Sequence, residues 1–175
     1  MDQHYLQSSF RESLIEHLFI GELLKLSWQN RDCALEVAKP EVDNSGYDII
    51  LEDSRVIRHL QLKTSKRGGS TARQKIHVSL GNKPSGCVLW IYFDEHTLDL
   101  GPFLYFGGPP GSPLPAMDEF KIAKHTKANA DGIKSERPAH RVVPKGKFAV
   151  LDSIVNVYEA LFGEIPQTAN LDSKN

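Results

Sequence analysis

Cysteine is nearly absent: Cys33 and Cys87 are the only two in 175 residues. They are too few for a disulfide framework, and no CxxC or Cys/His cluster offers a structural zinc site. Long apolar runs are missing as well. The longest, around Cys87–Phe93, falls far short of the ~20 residues a bilayer-spanning helix needs. The start, MDQHYLQSSFRESLIEH, carries neither the cationic flank nor the apolar run of a signal peptide, so a cytoplasmic domain without membrane contact is expected. There is no internal repeat, and the GGPPG run lacks the Lys-Ser/Thr that a phosphate loop requires. Neither charge is in excess: 21 Lys+Arg against 22 Asp+Glu leave a net charge of −1, which argues against indiscriminate coating of a polyanion.

What is present is ordinary globular material, 40% hydrophobic and 25% charged, enough for a core. At ~100–200 residues per domain the length fits one domain over 1–175. The neutral total hides an asymmetry. Residues 1–60 carry eleven acids against six Lys/Arg, whereas Lys121–Lys147 carry eight Lys/Arg against two acids, with His125 and His140 added. Such a chain can meet a polyanion through one face while remaining neutral as a whole.

The residue pattern predicts a mixed α/β fold. In Phe10–Trp28, apolar residues recur at three- and four-residue steps, which predicts a helix with Trp28 in the core. A short strand over Ala34–Ala38 and a β-hairpin over residues 46–64 follow, and residues 66–75 read as a basic loop before a short strand at Ile76–Leu80. CVLWIYFD at Cys87–Asp94 reads as a central strand covered on both faces. Residues 101–147 read as a Gly/Pro-rich and then basic extension, with a short helix over Asp118–Lys127, and residues 150–163 as a C-terminal helix. Cys33 and Cys87 read as buried small residues rather than nucleophiles.

The hairpin carries the chemistry. Symmetric pairing about Asp53-Ser54 sets Asp48 opposite His59 and puts Asp48, His59, Gln61 and Lys63 on one face. Tyr47, Ile49, Leu51, Val56, Leu60 and Leu62 then share the other, apolar face. An acid, an amide and a lysine thus converge at the open end. Mg²⁺ takes hard oxygen ligands and keeps several waters, so one carboxylate plus neutral oxygens can hold it. Asp48, the Gln61 amide oxygen and the Leu62 backbone carbonyl supply such a set. Lys63 is placed to orient an attacking water or to neutralise charge developing on a phosphate.

Gly46-Tyr47-Asp48, twelve residues, and then Gln61-Leu62-Lys63, behind a Glu-bearing helix, resemble the PD-(D/E)xK nuclease superfamily. More narrowly, the pattern looks like the D…QxK variant of Mrr-type restriction endonucleases and relatives. The resemblance spans about residues 10–94 and implies a restriction endonuclease-like αβββαβ core, a mixed sheet flanked by helices. It implies a metal-dependent endonuclease hydrolysing phosphodiester bonds in DNA, with Mg²⁺ or Mn²⁺ as cofactor. The motif positions fall on Asp48, Gln61 and Lys63, and the first helix's acid on Glu16, with Glu22 and Glu12 behind it. Two departures stand out: Gln61 replaces an acid, and Tyr47 rather than Pro precedes Asp48, although Pro40 and Asp43 lie nearby. The alternative is a catalytically inactive member of the fold that binds nucleic acid or protein.

Around this centre, Lys66, Arg67, Lys124, His125, Lys127, Lys134, Arg137 and Arg141 are the candidate phosphate contacts. No helix-turn-helix or zinc module is visible for sequence-specific reading. A double-strand cut needs two sites, which a homodimer would supply.

Overall fold

The structure, a computed structural model, describes residues 8–30, 33–42, 45–125, 132 and 134–165. Asp43 and Lys127 lie outside the described residues. Helix α1 (Ser8–Asn30) is followed by strands β1 (Glu36–Ala38), β2 (Ile49–Asp53), β3 (Val56–Lys66) and β4 (Arg73–His77). A 3-10 turn (Val78–Asn82) leads to β5 (Gly86–Phe93), β6 (Leu100–Gly107), β7 (Ile122–Lys124) and β8 (Glu136–Pro144). A second 3-10 turn (Lys145–Lys147), β9 (Ala149–Leu151) and helix α2 (Ile154–Phe162) complete the order.

The strands form two sheets, one of six in the order β1-β2-β3-β5-β6-β9 and one of three in the order β4-β8-β7. Within the large sheet only β3 and β5 run parallel; the other neighbours are antiparallel. A mixed α/β architecture is therefore present. The β3–β5 crossover contains β4 and a 3-10 turn, where the αβββαβ expectation puts an α-helix. The physical reason lies in residues 66–85: Gly68, Gly69, Gly81 and Pro84 break any helical period, and Arg73–His77 finds a partner in β8.

β5 is buried along its whole length because it faces two cores. Cys87, Leu89, Ile91 and Phe93 join Ile15, Phe19, Leu23 and Leu26 of α1 and Val157, Tyr158, Leu161 and Phe162 of α2. Val88, Trp90 and Tyr92 join Ile76, Val143, Leu114, Met117 and Phe148 on the opposite face. Helices cover one face of the large sheet and the small sheet meets the other.

Several elements differ from the sequence reading. The hairpin turns at Ser54-Arg55, both at positive φ (54° and 99°), the geometry that a two-residue turn matched to strand twist requires. Pairing is therefore Ile49 with Leu60 and Ile50 with His59. Continuing that register places Asp48 beside Gln61, not His59. The shift is two residues, an even number, so the faces of β2 and β3 are preserved. Tyr47 lies before the strand begins and packs edge-on against the His59 ring at 5.0 Å. GPFLYFG, expected to be irregular, is the inner strand β6, whose apolar residues fill both cores. Where a helix over Asp118–Lys127 is expected, the described residues up to His125 contain strand β7 instead, and residues 149–151 pair with β6 ahead of a shorter α2. Trp28 is 78% exposed, since α1 turns Ile15, Phe19 and Leu23 inward instead. Cys33 is also exposed.

Arg58 escaped the sequence reading. It is fully buried on β3 and donates to the Leu161, Ala160, Gly108 and Ser112 carbonyls and to Ser85 Oγ, at 2.8–3.4 Å. A donor-only fork thereby satisfies the last carbonyls of α2, which have no partner within the helix.

Candidate functional site

β2 begins at Ile49, so β3 beyond Leu60 has no strand beside it on that edge. In a strand, a residue's N–H and C=O point to the same neighbour. The Leu62 N–H faces this gap and donates to Asp48 Oδ2 at 2.6 Å, and its carbonyl faces the same way. Gly46, at φ +74°, brings the chain into the gap. An added Cβ there would stand 2.5 Å from His77 Cβ, so the hairpin's entrance is seated closely on β4.

Two cavities meet in the gap. The larger, about 1060 Å³, is bounded by Asp48, Gln61 and Lys63 of the large sheet and by β4, β7, β8 and their flanks. The smaller, about 500 Å³, lies toward α1 and is bounded by Glu12, Glu16, Lys39, Leu62 and Thr64. Asp48, Lys63 and Gln74 border both. The structure therefore brings Asp48, Gln61, Lys63 and the Leu62 backbone together, with Glu16 reaching the same place from the helix side. Glu16 is ion-paired with Lys39. Gln61 is 7% exposed, and its Oε1 is buried with no hydrogen-bond partner. An orphaned amide oxygen beside a carboxylate fits a hard cation, because an unmet buried acceptor is costly otherwise.

The far wall is basic. Arg73, Lys75, Lys121, Lys124, Lys134 and Arg137 all border the larger cavity, and among the described residues none of the six forms an ion pair. The pairs Lys25–Glu22, Lys39–Glu16, Lys66–Glu95, Arg67–Asp94 and Lys147–Glu119 involve none of the six. The only carboxylate bordering this cavity among the described residues is Asp48, on the large-sheet side. His140 sits edge-on to His77 at 4.8 Å and its Nε2 is 3.2 Å from an Arg137 nitrogen. Burial, then Arg137, His77, Lys63 and Lys75, push the His140 pKa down to about 4, so the ring is neutral at pH 7. Burial and the Lys83 ammonium lower His59 in the same direction.

Of the candidates for phosphate contact, Lys124, His125, Lys134 and Arg137 border the cavity. Lys66 and Arg67 do not: they lie at the end of β3, where Lys66 pairs with Glu95 and Arg67 donates to the Gly101 and Asp99 carbonyls. Arg141 falls on the same row as Ile76 and Val143, facing the core, and folds back onto the Pro138 carbonyl at 2.8 Å. Sequence reasoning missed Arg73, Lys75, His77 and Lys39. The first three were readable as a period-2 basic row, had Arg73–His77 been taken as a strand.

No protein-family model matches the chain, and a search of curated proteins finds no match.

Proposed function

We propose that the chain is a restriction endonuclease-like, metal-dependent DNA endonuclease of the restriction or repair kind. The observation that supports it best is the continuity of the Asp48–Gln61–Lys63 corner with a wall of six cations that have no ion-pair partner among the described residues. A backbone of regularly spaced phosphates satisfies both halves of that cleft at once: the wall neutralises the flanking phosphates, and the corner receives one of them. The wall's described residues include no Phe, Tyr or Trp, so contact is with phosphate rather than by base stacking.

Asp48, the Gln61 amide oxygen and the Leu62 carbonyl would hold Mg²⁺ or Mn²⁺, with Glu16 completing the set once it leaves Lys39. When bound, the ion supplies a polarised phosphorus–oxygen bond and a more acidic water. The Leu62 N–H fixes the Asp48 carboxylate so that its orientation is set before substrate arrives. Lys63, bordering both cavities, orients the attacking water and offsets charge that accumulates on the phosphate in the transition state. His140, neutral among cations, leaves the wall's charge to lysine and arginine.

The test is cleavage of mixed linear, branched and single-stranded DNA with Mg²⁺, Mn²⁺ or EDTA. Wild type should cut only with metal, and Asp48→Asn and Lys63→Ala should each lose about 100-fold or more. Cleavage that persists in purified Asp48→Asn removes this mechanism. Gln61 in place of an acid and the Glu16–Lys39 pair favour a second reading, a fold that binds DNA without cutting it. Salt-sensitive binding by wild type with no cleavage under any metal would select that reading.

A further inference from the structure

Helix α1 is apolar on two opposite faces. At 3.6 residues per turn, Ile15, Phe19, Leu23 and Leu26 line one side and are buried in the core. Phe10, Leu14, His17, Gly21, Leu24 and Trp28 line the other, at alternating steps of four and three. Phe10 is 70%, Leu24 44% and Trp28 78% exposed. A helix that buries only one stripe carries polar residues opposite it. This one instead repeats the spacing of a coiled-coil seam, and no Asp, Glu, Lys or Arg interrupts it.

We propose that this stripe is the docking surface for a second copy of the chain, with α1 lying antiparallel to its counterpart about a two-fold axis. The stripe is its own complement. Antiparallel pairing centred on residue 19 sets Phe10 against the partner's Trp28, Leu14 against the partner's Leu24 and His17 against the partner's Gly21. At Gly21 an added Cβ would meet nothing within 4 Å, so the centre of the stripe has room for an imidazole. A surface that matches itself under a two-fold rotation is what an isologous dimer requires, and an unrelated partner has no need of it.

The area agrees. Aromatic side chains bury ~150–250 Å² each, so the exposed fractions of Phe10 and Trp28, with that of Leu24, amount to roughly 400 Å² per copy. The two copies together reach ~800 Å². Leu14, His17 and the Lys25 stem bring the total near the ~1,000 Å² of a small specific interface. None of the stripe's residues borders either cavity of the cleft.

Sedimentation equilibrium of the full chain from about 1 to about 200 μM, read beside tryptophan emission, tests this. Wild type should dimerise in the micromolar range, and emission should shift to the blue with concentration as Trp28 leaves water, Trp90 being fully buried already. Leu24→Glu and Trp28→Glu change exposed positions and should keep the wild-type far-UV spectrum while weakening association by at least roughly 30-fold. A wild type that stays monomeric to the highest concentration overturns the proposal. So does a dimer that both variants leave intact.

Discussion

Neutralising two cations of the cleft wall should change how DNA binding responds to salt by a calculable amount. Arg73, Lys75, Lys121, Lys124, Lys134 and Arg137 share one cavity and have no ion-pair partner among the described residues. If each meets one duplex phosphate, the slope of log K against log salt is about −0.9 × 6, or about −5. Between ~50 and ~200 mM salt that slope lowers affinity about 10³-fold. Lys75→Gln with Arg137→Gln leaves four contacts and a slope near −3.6. Fluorescence anisotropy on a labelled duplex, with EDTA present to prevent cleavage, measures both slopes across a KCl series. The matched control is Lys66→Gln with Arg67→Gln, whose charges are engaged by Glu95 and Asp94 away from the cavity; its slope should stay at the wild-type value. A wild-type slope shallower than about −2, or equal slopes for the cleft variant and wild type, would refute the assignment of this wall to phosphate.

Three further expectations follow from the same geometry. Arg58→Met should destabilise the fold by about 3–5 kcal/mol, because it strands the α2 carbonyls and two loop carbonyls that the guanidinium serves; urea unfolding reads this, and a loss below about 1 kcal/mol contradicts it. His140 is depressed to about 4 in the folded chain against 6.5 unfolded, so the unfolded state takes up the proton first as pH falls. Its contribution is complete above about pH 6.5 and is lost as pH falls toward about 4, and a His140 ring resonance titrating near 6.5 would contradict this. Removing the charge beside Glu16 in Lys39→Gln should tighten Mn²⁺ binding several-fold by calorimetry; unchanged or weaker binding would show that Glu16 does not face the metal.

Legibility followed the length of contiguous sequence each feature needs. Asp48 immediately precedes β2, and Gln61 and Lys63 sit on β3 across a two-residue turn, so alternation alone groups them. The turn was misplaced by one residue because non-glycine residues occupy its positive-φ positions, Ser54 and Arg55, where Asn-Gly would have marked them. The small sheet was not legible. β4 and β8 are separated by about sixty residues, and neither segment is apolar enough to announce a strand; both are strands because each supplies one buried residue, Ile76 and Val143, and completes the other's backbone hydrogen bonds. β6 was obscured by the Gly and Pro that flank its apolar run, the features that elsewhere mark loops. Trp28 was misassigned because α1 satisfies a helical period on both faces, and composition does not say which one turns inward.

The alternation along β5 between two cores has a consequence for how this protein can change. The hairpin that carries Asp48, Gln61 and Lys63 buries Ile49, Leu51 and Leu60 in the helix-side core, whereas the basic wall hangs from Ile76 and Val143 in the other. The two halves of the cleft thus rest on separately packed cores, joined through the thickness of one sheet and where Gly46 is seated on His77. Substitutions in the wall meet Val88, Trp90 and their neighbours, whereas the hairpin rests on the row of Leu89 and Ile91 in the other core. Selection can revise what the cleft grips without rebuilding the corner that acts on it.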